Sequence, residues 1–150
     1  MAEPRTIPTE EERARISDLL RRSTLQTVEY HSVEARRLTE NKQREEHEDS
    51  VDVSMSLKHH FGEDSFGILL QAQLFPYRAE VTVAVAAEYS IDSGGPAEDA
   101  VVRGFGNEVA VMTLLPFARE AVATLSTRVF GKPILLPTLS RGEVGFDLDD

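Results

Sequence analysis

The chain contains no cysteine, which excludes a disulfide framework, a thiol nucleophile and cysteine-based zinc sites. It is also short of positive charge, with 16 Lys and Arg against 26 Asp and Glu and a formal net charge of −10. That field repels nucleic acid and anionic membrane, both of which are bound through clustered cations. Long apolar runs are missing too. The longest, residues 109–118, is broken by Thr113 and Pro116 and falls short of the roughly 20 residues a bilayer-spanning helix needs. The opening residues, MAEPRTIPTEEE, lack the apolar stretch of a signal peptide. These absences lead to the expectation of a soluble, cytoplasmic protein with no nucleic-acid partner and no direct membrane insertion.

What is present is ordinary globular composition: 150 residues, 41% hydrophobic and 28% charged. A chain of that length forms one domain that buries roughly 70% of its unfolded surface. Residues 9–22 predict a short helix, because Thr9 with Glu12 makes a capping-box pattern and three glutamates sit at the positive end of the helix dipole. Its few apolar residues (Ala14, Ile16, Leu19, Leu20) predict a loosely docked arm over residues 1–23. From Leu25 the period shortens. Val28 and Tyr30, then Val33 and Ala35, alternate with polar residues around a slip near His31, leaving open whether residues 25–38 form one strand or two. Residues 39–50 are charged and nearly free of apolar side chains, as an exposed connection would be.

The alternation is cleanest in residues 50–61, where Val51, Val53, Met55, Leu57 and Phe61 share one face. Turns at Gly62–Asp64 and at PYRA separate two further strands, with Phe66, Ile68, Leu70, Ala72 and Leu74 on one and Val81, Val83, Val85, Ala87, Tyr89 and Ile91 on the other. Short turns joining half-polar strands predict an antiparallel meander, here of four strands, with one face covered and one wet. The cover is a helix over 107–130, stopped by Gly131 and Pro133. The fold class is therefore α+β, an antiparallel sheet under one long helix. Val111, Leu114, Leu115, Ala118, Val122, Leu125 and Val129 form one stripe at helical spacing, and Val109, Ala110, Met112, Phe117 and Ala121 widen it over most of the circumference. A helix lying on one sheet needs only a stripe, so a second subunit is expected on the rest. Pro116 inside the helix costs on the order of 3 kcal/mol and predicts a kink.

Pro116-Phe117-Ala118-Arg119-Glu120, preceded by Leu114-Leu115, resembles the signature of the SecB family of export chaperones. Tyr89-Ser90-Ile91 is similar to the end of that family's fourth strand, the stretch from Gly131 to Pro133 to its helix exit, and Leu135-Leu136-Pro137 to the run that follows. The specific resemblance covers residues 81–139; before that, strand order and Val33-Glu34-Ala35 carry it. It implies a nucleotide-independent holdase without cofactor, built as a homotetramer (a dimer of dimers, helices inside and sheets outside) that binds unfolded preproteins in apolar grooves for export. A SecB-like chaperone domain would then span 24–139, followed by an acidic tail over 140–150.

Two departures from the family pattern alter those expectations. No counterpart of the family's second C-terminal helix is expected after Leu135-Leu136-Pro137, where the sequence reads TLSRG and then GFDLDD. The outer-face acids that dock the SecA motor in export members are represented by Glu34, but Thr82 stands where the second acid belongs and Glu80 lies one strand pair away. A divergent branch of the family guards antitoxins of stress-response toxin systems, and an antitoxin is the alternative partner.

The candidate client-binding residues are Val53, Met55, Leu57, Phe105, Ile134, Leu135, Leu136 and Leu139; the candidate oligomer interface is Val28, Tyr30, Val111, Leu115, Phe117, Val122 and Leu125; Glu34 and Glu80 are the candidate SecA contacts. No catalytic or metal-binding residue is expected. His59 and His60 are adjacent on a strand and point to opposite faces, so they cannot share a metal. His31 and His47 are expected in solvent. Gly104-Phe105-Gly106 lacks the third glycine and the leading strand of a phosphate loop. Arg119 and Glu120 diverge by about 100° on a helix, so they make no catalytic pair. The acidic tail reads as a solubilising end, with a docking peptide as the other possibility. A non-catalytic oligomeric scaffold or ligand-binding protein is the competing class, and would need a pocket with convergent polar groups.

Overall fold

A computed structural model of the chain describes residues 7–39 and 51–137. It contains the helix α1 (Glu10–Arg21), four strands β1 (Ser23–Arg37), β2 (Asp52–Phe61), β3 (Ser65–Phe75) and β4 (Ala79–Ile91), and a long helix in three parts. Those parts are α2 (Asp99–Phe105), a five-residue π-helical turn (Gly106–Ala110) and α3 (Val111–Phe130).

The strands form one antiparallel sheet in the order β1-β4-β3-β2. The meander runs through β2, β3 and β4, and β1 joins it beside β4 rather than beside β2. Residues 38–51 connect β1 to β2, ample chain for the roughly 14 Å between the outer strands of a four-stranded sheet. β1 is a single strand whose register shifts twice, once between Leu25 and Thr27 and once between Tyr30 and Ser32. The slip in the alternation near His31 is the second of these bulges. β2, by contrast, keeps unbroken register with β3 from Asp52↔Phe75 to Phe61↔Phe66. The turns fall where glycine and proline place them: Gly62 donates its N–H to the Ser65 carbonyl at 2.9 Å, and Ala79 donates to the Pro76 carbonyl at 3.1 Å.

The period-two pattern sorts the sheet into two faces. Val81, Val83, Val85 and Ala87 of β4 and Ile68, Leu70, Ala72 and Leu74 of β3 are fully buried beneath the helix. Phe66 stacks on Tyr89 (ring centroids 4.9 Å apart), and Phe105 meets both edge-on at 5.1 and 5.0 Å, the T-shaped geometry that ring quadrupoles favour.

The long helix starts at Asp99, eight residues before the expected start at 107. Gly104 and Gly106 are the reason for the difference, since two glycines in three residues read as a break. Packing overrides that propensity. A Cβ on Gly104 would sit 2.8 Å from Ile16 Cδ1, so the glycine lets α1 lie against α2. The helix is likewise not loosely attached. Ile16 and Leu19 are buried in the core cluster, and Arg22 donates through Nη1 to the carbonyls of Ser93 and Gly95 at 2.9 and 2.7 Å. The expected capping box is present, with Thr9 and Glu12 exchanging backbone-to-side-chain bonds of 3.1 and 3.0 Å.

α3 continues through Pro116 and ends at Gly131, whose φ of 83° is the left-handed C-cap conformation that glycine adopts without strain. Pro116 is exposed, so water can reach the Met112 carbonyl that its missing N–H leaves unpaired. By length and composition the 32-residue run Asp99–Phe130 would suit a bilayer, but Val111, Leu114, Leu115, Ala118, Ala121 and Val122 are buried against the sheet, as in a core helix. Beyond Gly131 the chain turns back. Ser126, buried on α3, donates to the Ala123 carbonyl and accepts the Ile134 N–H at 2.7 Å. Leu136 then enters the core cluster.

Leu115 and Val122 thus face this chain's own sheet. Replacing either by Asp buries an unpaired carboxylate and is expected to remove at least ~3 kcal/mol of stability, whereas Thr124→Asp on the exposed side of α3 should stay within ~0.5 kcal/mol. Urea denaturation of the three variants measures this.

Candidate functional site

The inner face of the sheet is wider than the helix lying on it. Four contacts give the helix its path. Asp99 at the start of α2 meets His59 of β2, Oδ1 to Nε2 at 2.7 Å. Thr113 lies beside the Tyr89 hydroxyl of β4. Tyr30 of β1 donates its hydroxyl to the Phe117 carbonyl at 2.9 Å, and Arg37 at the end of β1 donates through Nε to the Val129 carbonyl at 3.3 Å. His59 pairs with Ile68 near one end of the sheet, and Arg37 pairs with Ala79 at the other. The helix therefore enters over β2 and leaves over β1, crossing the sheet from corner to corner.

Two apolar areas remain beside it. The first follows β1, where Leu25, Tyr30 and Val33 pair with Tyr89, Val85 and Val83 of the buried face of β4 and so point to the inner side. They are 43%, 41% and 40% exposed, and Phe117 beside them on α3 is 41% exposed. Burial raises the Tyr30 hydroxyl pKa, with the nearby Glu120 carboxylate adding to the effect, so the hydroxyl remains a hydrogen-bond donor at neutral pH. The second area follows β2. Val53 and Phe61 are exposed on its inner side and Met55 is half-buried; separately, Leu135 of the segment after α3 is 70% exposed. Met112 lies five residues before Phe117, about 140° around the helix, and is exposed on the flank away from β1.

The expected client residues divide accordingly. Val53 and Leu135 are exposed and Met55 and Ile134 half-buried, but Leu57, Phe105 and Leu136 are core residues with no surface to offer. Leu139 lies outside the described residues, as do His47, most of the 39–50 connection and the 140–150 tail. The expected interface set divides the same way: Tyr30 and Phe117 are exposed, Val28 and Leu125 half-buried, and Val111, Leu115 and Val122 buried by the sheet. Leu25, Val33, Phe61 and Met112 complete the two exposed areas and were absent from the sequence-based sets. Period-two alternation signalled Val33 and Phe61, while Leu25 lies across the first register shift of β1, out of phase with Val28; what alternation lacks is the path of the helix, which decides which residues are covered.

The outer face is polar and internally paired. Arg36 reaches Glu80 Oε2 at 2.7 Å through Nη2 and at 3.1 Å through Nε, with Glu34 Oε1 at 3.7 Å. The hydrogen bond to Glu80 and then its charge hold the Arg36 pKa above the usual arginine range. Both carboxylates expected to meet a cationic partner therefore already share an internal cation. His60 of β2 reaches across the intervening strand to Glu88 of β4 at 3.0 Å. The residue between them is Gly67, and a Cβ there would lie 2.3 Å from His60 Nε2. The two neighbouring histidines thus tie β2 down on opposite faces, one to β4 and one to α2. Among the described residues no cluster of three or more potential ligands exists that would hold a metal.

Inner-face helix, outer-face sheet and the strand order together define the SecB-like fold. Compared with solved structures, the chain is similar to the Mycobacterium tuberculosis SecB-like chaperone Rv1957, solved in complex with a ChAD peptide from the Rv1956 HigA1 antitoxin, at a TM-score of 0.70 and 17% identity over 85% of this chain and 98% of that one. No sequence-family model and no curated protein sequence matches the chain. The similarity is thus one of backbone architecture, and it bears out the SecB-like resemblance of the PFARE helix.

The hydrogen bond from His59, reinforced by Arg103, holds the Asp99 pKa below the usual carboxylate value of 3.8. A lowered folded-state pKa contributes stability above the unfolded pKa, and that contribution disappears as pH falls through the folded one. Asp99→Asn is expected to be less stable than the parent at pH 5, and the difference should shrink steadily towards pH 2. Denaturation of both proteins across that interval reads the effect.

Proposed function

We propose that this protein is an ATP-independent holdase of the cytoplasm that binds extended polypeptide segments, and that its partner is a dedicated client of the antitoxin kind. The observation that carries this reading is the pair of exposed apolar areas left beside the helix on a SecB-like frame. Unfolded segments present apolar side chains without tertiary partners, and an accessible apolar surface on a body of net charge −10 binds them while keeping the complex in solution. Each side chain fully buried on the surface contributes roughly 1.5–3 kcal/mol before ordering costs, so several shallow contacts suffice.

The two areas take different partners. The β1 side, with Leu25, Tyr30, Val33 and Phe117 at an open strand edge, is assigned to a second copy of the chain, and the tetramer expected from the resemblance would be assembled from such pairs. The β2 side, with Val53 and Met55, is assigned to the client, and the exposed Leu135 beyond α3 is assigned to it as a further contact. General export is the weaker form of the proposal. Docking to SecA through Glu34 and Glu80 would have to compete with Arg36, which hydrogen-bonds Glu80 and lies 3.7 Å from Glu34. The antitoxin form is favoured by the peptide that the Mycobacterium tuberculosis chaperone carries.

The test is to dilute an antitoxin and, separately, an unrelated slow-folding protein into buffer with and without this protein, omitting ATP. Aggregation of the antitoxin should be suppressed, and Val53→Ser with Leu135→Ser should weaken the suppression at least ~10-fold, as expected for losing two shallow apolar contacts, while the mass by light scattering stays that of an oligomer. Suppression of neither substrate at several-fold excess contradicts the holdase reading, and a monomer contradicts the assignment of the β1 side.

A further inference from the structure

The sheet has two open edges, β1 and β2, and they are unlike. β1 breaks its register twice and carries Glu29 and Glu34 on its outer face. β2 keeps unbroken register with β3 over ten residues, and among the described residues nothing pairs with its free side. It is held from both faces, by His59 to Asp99 inside and by His60 to Glu88 outside. The contact with Asp99 also sets a limit. α2 begins over His59, so the open length of edge runs from Asp52 to Lys58, about 24 Å at the rise of an antiparallel strand.

An open strand presents a row of unpaired N–H and C=O groups, and its complement is the main chain of another extended segment. The side chains define that segment further. On the inner side Val53 is exposed and Met55 half-buried, so alternate residues of the segment are apolar. On the outer side Asp52 stands at one end and the exposed Lys58 at the other, with Ser54 and Ser56 between them. Opposite charges facing each other across a strand pair stabilise it, and like charges destabilise it. The outer row therefore reads the direction of an incoming strand as well as its charge.

Resting on the holdase reading, we propose that the client joins the free edge of β2 as a fifth strand, antiparallel to it, over Asp52–Lys58. The client segment carries apolar residues at every second position and an acidic residue that meets Lys58. Six residues further on, the spacing from Lys58 back to Asp52, it carries a basic residue that meets Asp52. Antiparallel pairing continues the existing sheet and is slightly the more stable of the two arrangements. Main-chain bonds give an affinity indifferent to which apolar side chains the client has, and Asp52 and Lys58 give selection. β1 is the poorer host, because its register shifts interrupt the ladder and Glu29 and Glu34 repel an acidic residue.

Fluorescence anisotropy on the full chain compares synthetic peptides: Glu-Val-Thr-Val-Thr-Val-Lys, the same peptide with Glu and Lys exchanged, and two N-methylated forms of the first. Each methylated form has alternate amides blocked, so that one of its two edges cannot donate. The first peptide should bind at least ~4-fold tighter than the exchanged one, and Lys58→Glu, on the solvent side, should remove that preference. One methylated form and not the other should lose at least ~10-fold. In residue-resolved hydrogen exchange, the β2 amides that do not bond to β3 should exchange rapidly in the free protein and slow at least ~10-fold with saturating peptide. Equal binding of the two charge arrangements, or a preference that survives Lys58→Glu, overturns the proposal. So does equal loss from both methylated forms or from neither, and so do edge amides that the peptide does not slow. Edge amides already protected in the free protein overturn it as well, and protection that rises with protein concentration assigns the edge to a second copy. Failure of every peptide to bind also overturns it but leaves the holdase reading to the aggregation assay, which uses the whole antitoxin.

Discussion

A helix about 10 Å across cannot roof a four-stranded sheet whose outer strands lie roughly 14 Å apart. With one long helix in the chain, the route it takes determines which apolar strand residues are core and which are surface. Here the route is fixed at both ends by contacts to opposite edge strands, His59 of β2 with Asp99 and Arg37 of β1 with Val129. The helix covers β4 along its length and leaves uncovered the corner of β1 near Leu25 and Tyr30 and the corner of β2 near Val53. The accessible apolar surface is thus a geometric remainder of the crossing.

That crossing depends on smaller adjustments. Gly104 admits Ile16, which seats α1 on the start of the helix. The π-helical turn at Gly106–Ala110 joins the part that packs through Phe105 on Phe66 and Tyr89 to the part that runs down β4. At the far end Ser126 is a buried polar residue inside an apolar stripe. Its hydroxyl satisfies the Ile134 N–H, which would otherwise be left without a partner as the chain turns back. On the outer face the described polar side chains pair with one another instead, Arg36 with Glu80 and His60 with Glu88.

Strand identity, the faces of β2 to β4, the capping box of α1, the C-cap at Gly131 and the SecB-like order were all legible in the sequence, because period and cap chemistry are local. The position of β1 beside β4 was not, since a long connection permits either edge. Nor was the helical nature of residues 99–106, where two glycines outweigh Val101, Val102 and Phe105 until tertiary packing is counted. The candidate site was legible only as a pool of residues. Tyr30, Phe117, Val53 and Leu135 in that pool are accessible, while Leu57, Phe105, Leu115 and Leu136 are core. Residues of the same type at the same spacing differ in exposure only through the path of the helix, and that path is set by pairs such as Arg37 and Val129, 92 residues apart.

The claim that the two sides of the helix do different work is tested most directly by site-specific photocrosslinking. A photoreactive side chain is placed at position 33 in one protein and at position 53 in another, each irradiated with a radiolabelled unfolded polypeptide and no nucleotide. Position 53 should capture the polypeptide, and position 33 should capture a second copy of this chain. Capture of the polypeptide at 33 and of a second copy at 53, or the same product from both, would contradict the account.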